Sequence, residues 1–254
     1  MRDLTDTVAV VTGAASGLGA ASARALAQRG AKIAALDFNL DGAAALAAEI
    51  GGRAYEVDVA SAASGEAAFE QLVADLGRPT ILVHCAGIAP GRKILGKSGV
   101  MALEEFERGI AVNLTGSFNM LRLAAKYMAE NEPDPDGQRG VIIVTASVAA
   151  FEGQIGQATY AASKGGVVGL VLPAARELAA HGIRVMGIAP GIFETPMLTN
   201  MPEEVQKGLF ASVPFPHRLG RPQEYADLVL SIVGNPMLNG TVVRLDGALR
   251  MQPR

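Results

Sequence analysis

Short apolar runs alternate along the chain with longer stretches in which Ala and Leu recur every three or four residues. The short runs cover residues 7–11, 31–37, 53–57, 80–85, 141–147, 183–189 and 241–245. Most are apolar at successive positions rather than every second one. That pattern predicts strands buried on both faces of a parallel sheet. The longer stretches, 17–29, 41–50, 62–76, 103–112, 114–130, 159–180 and 225–233, read as helices, and Gly30, Gly51 and Gly77 stop three of them. Pro173 lies inside the longest and predicts a bend or an unpaired carbonyl. Alternating strands and helices with short connections predict an α/β fold with right-handed crossovers. No break in composition divides the chain, so residues 1–254 read as a single doubly wound Rossmann domain with helices on both faces of its sheet.

Composition narrows the class. A length of 254 residues, 50% hydrophobic and 19% charged, gives ample material for a core and argues against disorder. The formal charge is −3, and no basic stripe invites nucleic acid or a membrane surface. A lone cysteine excludes an intramolecular disulfide framework and fits a reducing compartment. No cluster of His, Asp and Glu suggests a metal. The mean hydropathy of +0.27 is high for a soluble protein. However, the longest charge-free stretch, 7–23, is interrupted by a Gly/Ser turn, and a membrane span needs about 20 mainly apolar residues. The acidic start, Met1-Arg2-Asp3-Leu4-Thr5-Asp6, does not resemble a signal or transit segment. The expectation is a cytoplasmic protein. Residues 89–100 and 131–140 read as solvated loops, and 191–220, with four prolines, reads as a substrate lid.

The first turn carries chemistry. Thr12-Gly13-Ala14-Ala15-Ser16-Gly17-Leu18-Gly19 joins the first strand to the first helix. Glycines here would let the backbone turn tightly and approach a pyrophosphate. The N–H groups of the helix start, at Ser16, Gly17 and Leu18, would meet its charge. Taken alone, the motif is equally a plain Gly/Ser turn. Asp37 closes the second strand 18 residues after Gly19, where a carboxylate accepts hydrogen bonds from a ribose; the alternative is a cap on the next helix. A 2′-phosphate about 4 Å from Asp37 would cost roughly 4 kcal/mol at an effective dielectric of ~20, which favours NAD over NADP. No Arg or Lys compensates at Ser16 or Phe38. Asp58-Val59 ends the third strand, where the acid would meet an adenine amino group or merely form a turn. Cys85-Ala86-Gly87 ends the fourth, where small residues let a cofactor pass, and Cys85 reads as a small buried residue rather than a nucleophile.

Tyr160 and Lys164 stand four residues apart and share a helix face. A phenol with a reference pKa near ~10 must fall about three units, ~4 kcal/mol, to act as a base at neutral pH. A nearby lysine cation is an effect of that size, and a nicotinamide cation would add to it. Ser147 lies thirteen residues before Tyr160 at the end of the fifth strand, and ligands bind beyond the carboxyl ends of such strands. Asn113 comes from a helix between the fourth and fifth strands, and Pro190-Gly191 and Thr195 follow the sixth.

Together, Thr12-Gly13-x-x-x-Gly17-x-Gly19, Asn113, Ser147, Tyr160-x-x-x-Lys164 and Pro190-Gly191 resemble the short-chain dehydrogenase/reductases over essentially the whole chain. The resemblance implies a seven-stranded parallel sheet, usually in a homotetramer. It also implies the roles: Tyr160 as acid/base, Ser147 on the developing alkoxide or carbonyl, Lys164 on the phenol and the nicotinamide ribose. Asn113 would anchor a relay water and Thr195 the carboxamide. Finer features are similar to the 3-hydroxyacyl-CoA dehydrogenase branch of that family, which acts in fatty acid metabolism. They are His84-Cys85-Ala86-Gly87-Ile88-Ala89 with Cys in place of the usual Asn, Phe151-Glu152-Gly153-Gln154, Pro214-Phe215-Pro216 and Arg244-Leu245-Asp246-Gly247-Ala248. His84 departs from the family pattern. Gln154 and Gln157 would line the substrate pocket or lie exposed; Arg92, Lys93 and Lys97 would meet acyl-CoA phosphates or merely solvate a loop. A broader secondary-alcohol or hydroxysteroid dehydrogenase is the alternative enzyme. A cofactor-binding scaffold is the alternative class, and an intact set of reacting residues argues against it. His181 and His217 read as surface residues.

Overall fold

The computed structural model describes residues 3–97, 99–195 and 213–253. All seven apolar runs form strands: β1 (Val8–Thr12), β2 (Lys32–Asp37), β3 (Arg53–Glu56), β4 (Ile81–His84), β7 (Gly140–Thr145), β8 (Ile183–Pro190) and β9 (Val242–Leu245). Between β4 and β7, the stretch expected to be a plain loop carries a small antiparallel hairpin, β5 (Leu95–Gly96) and β6 (Gly99–Val100). The helices are α1 (Gly17–Ala27), α2 (Leu40–Ile50), α3 (Ala62–Leu76), α4 (Leu103–Ile110), α5 (Gly116–Met128), α6 (Ala158–Leu178) and α7 (Pro222–Gly234).

The seven strands form one sheet in the order β3-β2-β1-β4-β7-β8-β9, and every pairing is parallel. Successive side chains on a strand point to opposite faces, so each strand feeds two cores. Val10, Leu82, Ile142 and Val144 pack with Phe69, Met120 and Val167 of α3, α5 and α6. Ala9, Val11, Val83 and Ile143 pack with Leu26, Leu46 and Val229 of α1, α2 and α7. Doubly covered strands explain the unbroken apolar runs. The chain order reverses at β1, which pairs with β2 on one side and β4 on the other. The crevice beyond the carboxyl ends of β1 and β4 is therefore where a ligand fits.

Two local departures have physical causes. α6 continues through Pro173, because the carbonyl that loses its donor belongs to Gly169, which is exposed to solvent. The helices expected over 103–112 and 114–130 are continuous, joined by a π-helical turn, Ala111–Thr115, that holds Asn113. Of the expected lid over 191–220, residues 196–212 lie outside the described residues.

Candidate active site

The glycine turn is built by exclusion. Gly13 has φ +66°, and a Cβ there would stand 2.9 Å from the Ala86 nitrogen and the Cys85 carbonyl carbon. A Cβ on Gly19 would overlap the Gly13 carbonyl oxygen. The turn thus lies flat against the end of β4 and the start of α1. Ser16 precedes that helix in extended conformation without a side-chain cap, so its first-turn N–H groups face the crevice uncapped. Asp37 accepts from the Ala15 N–H (2.9 Å) and the Asn39 N–H (2.9 Å), tying β2 to the glycine turn. Asn39, not Asp37, caps α2, by accepting from the Gly42 N–H. Asp58 forms the turn that the sequence allows, one oxygen accepting from the Ala60 N–H (2.9 Å). Val59 is buried beside it, its carbonyl held by the Asn119 amide.

The end of β4 is held by a network the sequence did not reveal. Thr12 Oγ1 accepts from the N–H groups of Cys85 (3.2 Å) and Ala86 (3.1 Å), so its own proton goes to His84 Nδ1 (2.8 Å). His84 therefore carries its proton on Nε2, which is buried with no partner among the described residues. Burial, reinforced by the Lys164 charge, pulls the imidazole down to about 3, so it stays neutral. Thr145 donates to the His84 carbonyl (2.6 Å), and its hydroxyl also meets the Tyr225 phenol (2.8 Å). Cys85 is a partly buried thiol pushed up by burial, which fits a packing role rather than a nucleophile. Thr12, Thr145 and Tyr225 act through neighbours; for the two threonines a hydroxyl at a strand end was the sign available in the sequence, and for Tyr225, within α7, there was none.

Ser147, Tyr160 and Lys164 converge. Ser147 follows β7, and its Oγ accepts from the Ala149 N–H (3.1 Å). Tyr160 and Lys164 sit one turn apart in α6, with Lys164 Nζ 5.9 Å from the Tyr160 ring centre. Lys164 is 4% exposed, and Nζ donates to the Thr145 carbonyl (2.8 Å). Burial pulls this ammonium down to about 8. It pushes the Tyr160 phenol above its ordinary value, against the smaller pull of the Ser147 hydroxyl. Burial of the side chains works against the lowering expected from Lys164.

Asn113 is fully buried. Its Oδ1 accepts from the Ile88 N–H (2.8 Å), while its Nδ2 donates to the Ile88 carbonyl (2.9 Å) and to Ser163 Oγ (3.0 Å). It bolts the chain beyond β4 to α6. Gly87 fits between this amide and Lys164: a Cβ there would lie 3.0 Å from Asn113 Oδ1 and 3.5 Å from Nζ.

All these elements surround one cleft of about 700 Å³. Gly13, Ser16, Gly17, Leu18, Gly19, Asp37, Asp58 and Val59 line one part of it. Cys85, Ala86, Gly87, Ser147, Tyr160, Lys164, Pro190, Gly191 and Thr195 line the rest. Asn113 stands behind this wall. Phe38, 75% exposed beside Asp37, lines the cleft where the sequence offered no compensating cation, and Arg108 also lines it and was not foreseen. Gln154 and Gln157 line a neighbouring groove of about 380 Å³ with Arg92 and Lys93, rather than the cleft itself. The glycine bed, the uncapped helix start and the carboxylate at the end of β2 fit a dinucleotide. Among the described residues no group of His, Cys, Asp and Glu could hold a metal ion, and no helix is long and apolar enough to cross a membrane.

Comparison with known proteins agrees with this geometry. A family model described as short chain dehydrogenase matches residues 7–206. The chain is 53% identical over 256 residues to the 3-hydroxyacyl-CoA dehydrogenase type-2 of Homo sapiens, covering 99% of this chain and 98% of that one. It is 38% identical over 265 residues to the (3R)-3-hydroxyacyl-CoA dehydrogenase of Rattus norvegicus, covering 98% of each. Among solved structures, a 3-hydroxyacyl-CoA dehydrogenase type-2 from Mycobacterium avium superposes with a TM-score of 0.94 at 40% identity, covering 100% of both chains.

Proposed function

The chain belongs to the short-chain dehydrogenase family, and from that premise we propose that it is an NAD-dependent 3-hydroxyacyl-CoA dehydrogenase, interconverting 3-hydroxyacyl-CoA and 3-oxoacyl-CoA in fatty acid metabolism. The observation that carries the reading is the convergence of Ser147, Tyr160 and Lys164 in the same cleft as the glycine turn and Asp37. The acyl-CoA substrate class comes from the names of relatives half identical to this chain over its full length.

A nicotinamide bound along the glycine bed supplies the hydride acceptor or donor. The protein supplies position and protons. Ser147 Oγ, already a hydrogen-bond acceptor from Ala149, turns its proton toward the substrate oxygen and stabilises charge there. Tyr160 gives its proton to that oxygen in reduction and takes it in oxidation. Lys164 would hold the ribose beside Tyr160 and pass protons toward a water at Asn113; both side chains border Gly87, where a Cβ would lie 3.0 Å from Asn113 Oδ1 and 3.5 Å from Nζ. Thr195 meets the carboxamide. Asp37 would accept from the adenosine ribose hydroxyls, and its charge would favour NAD. Exposed Lys93 and Lys97, on the loop that walls the neighbouring groove, meet the phosphates of CoA; Arg92 on the same loop is paired with Glu105. Assembly as a homotetramer follows from the family resemblance. The lone cysteine supports a reducing, cytoplasmic setting.

The test mixes protein, NADH and acetoacetyl-CoA and follows NADH absorbance. Rapid oxidation is expected; none, beside brisk turnover of an unrelated ketone, refutes the substrate assignment. Tyr160→Phe should abolish turnover and leave NADH affinity within about twofold. A variant that keeps its rate refutes the acid/base role.

A further inference from the structure

The last residues of the chain are folded back onto the segment that connects the two hydroxyl-bearing residues of the cleft. Residues 148–157 run from Ser147 to the start of α6, and Tyr160 is the third residue of that helix. Glu152, in the middle of the segment, receives a two-pronged hydrogen bond from Arg244 of β9 (2.7 and 2.9 Å) and an ion pair from Arg250 (3.4 Å). Asp246 completes the cluster, accepting from Arg244 Nε (2.7 Å) and Arg250 Nη1 (3.3 Å). Two guanidinium groups and two carboxylates are thus mutually paired. The side chains of Arg244 and Asp246 are only 22% and 8% exposed, so this cluster is screened less than an ordinary surface pair. The backbone extends the attachment: the Gln252 carbonyl accepts from Gln154 Nε2 (2.9 Å), and the Pro253 carbonyl accepts from the Ile155 N–H (3.0 Å).

The attachment reaches the reacting groups through short links. Gln157 Oε1 accepts from the Gln154 N–H (3.0 Å), and the Gln157 carbonyl accepts from the Ala161 N–H (2.7 Å) in the first turn of α6. Gly153 lies so close to α6 that a Cβ there would stand 2.7 Å from the Ala161 methyl. Moving the segment therefore moves the turn that carries Tyr160. On its other side Asp246 backs onto Gly191, whose Cβ would stand 2.9 Å from the Asp246 Cα.

We propose that Glu152, Arg244 and the C-terminal residues form a clasp that holds the segment between Ser147 and Tyr160, the wall of the groove beside the cleft, in the position that substrate binding needs. Glu152 is its central positioning residue, and the clasp governs binding of the carbonyl substrate rather than of the cofactor. The inference rests on the oxidoreductase reading of the cleft, not on the acyl-CoA assignment. Three variants test it: Glu152→Gln, a chain ending at Arg250, and both together. The substrate is acetoacetyl-CoA or, if wild type does not turn it over, the best ketone from a panel; failure of the substrate assignment thus stays separate from failure of the clasp. Each single variant should raise KM for the carbonyl substrate about tenfold with NADH affinity, read by fluorescence, within twofold. Amide exchange of residues 148–157 should accelerate while that of residues 8–27 does not change. The double variant should be no worse than the worse single, because both act through one attachment. Unchanged KM, a parallel loss of NADH affinity, or multiplying effects would each overturn the proposal. Should Glu152→Gln not fold, Arg250→Gln at the exposed end of the cluster should raise KM two- to threefold, and no change there overturns it equally.

Discussion

Asp37→Asn separates charge from shape at the cofactor's adenosine end. Asp37 is partly buried, and its two oxygens each hold a backbone N–H at 2.9 Å, from Ala15 and Asn39. Asparagine keeps the size but has one acceptor oxygen, so one of those N–H groups faces an NH₂. Losing that charge-assisted bond costs about 1.5–3 kcal/mol and loosens the glycine turn for both nicotinamides alike. Removing the charge acts on only one of them. The ~4 kcal/mol repulsion of a 2′-phosphate, at ~4 Å and an effective dielectric of ~20, disappears. Partial exposure and salt reduce its working value, and at least ~1.4 kcal/mol, a tenfold change, should survive. The ratio of kcat/KM for NAD over NADP should therefore fall at least tenfold in Asp37→Asn, even as both values decline. Ionic strength provides an internal control. Between 0.1 and 1 M salt the Debye length shrinks from ~10 to ~3 Å, so wild-type discrimination should weaken while the variant's should not. An unchanged ratio, or discrimination indifferent to salt, would show that pocket shape rather than charge selects the cofactor.

Burial makes Lys164 a stability cost at neutral pH. Its folded value near 8 lies below the unfolded 10.5, so the penalty is full below about pH 8 and vanishes as pH rises through 10.5. The shift corresponds to ~3 kcal/mol; removing the ammonium also leaves the Thr145 carbonyl unpaired, at ~1–2 kcal/mol. Lys164→Met should thus raise Tm by a few degrees at pH 7 while abolishing turnover; a lower Tm would refute the desolvation argument. His84 works in the same sense at lower pH. Its folded value near 3 lies below the unfolded 6.5, so stability present above pH 6.5 is lost as pH falls toward 3, at ~1.4 kcal/mol per unit. His84→Asn, whose amide oxygen can still accept from Thr12, should lose about 2 kcal/mol less between pH 6.5 and 5 in urea titrations. Equal slopes would mean that His84 is not the titrating group.

The legible part of the fold was the part in which one residue's environment repeats along the chain. Strands buried on both faces announce themselves as unbroken apolar runs, and all seven did. The π-turn at Ala111–Thr115 was hidden because one extra residue leaves the helical period readable on both sides of it. The hairpin Leu95–Val100 was hidden because its two-residue strands are exposed and glycine-rich, with no buried face to create a pattern. Within the cleft, residues that would touch a ligand were readable from type and place, as glycines, acids and hydroxyls at strand ends. Thr145 and Tyr225 were not, since each acts by holding a neighbour, and Thr12 was read only as the opening residue of the glycine turn. The pairing of Glu152 with Arg244 spans 92 positions, and no local signal connects two charges so far apart.

Burial moves the two titrating groups of the cleft in a consistent direction: each is pushed toward its neutral form. The Tyr160 phenol is held above its ordinary value and the Lys164 ammonium is pulled down to about 8. Near pH 7 these side chains alone hold Tyr160 protonated, the form that donates to a carbonyl oxygen and not the form that accepts from an alcohol. Lys164, 5.9 Å from the ring centre and committed to the Thr145 carbonyl, does not overcome this. Oxidation needs an additional positive field at the phenol, supplied only when an oxidised nicotinamide lies in the cleft. It follows that in oxidation the acid limb of kcat/KM should reflect a phenol whose affinity for its proton depends on what is bound beside it. In reduction the rate should stay level across neutral pH, until Lys164 begins to lose its charge near pH 8.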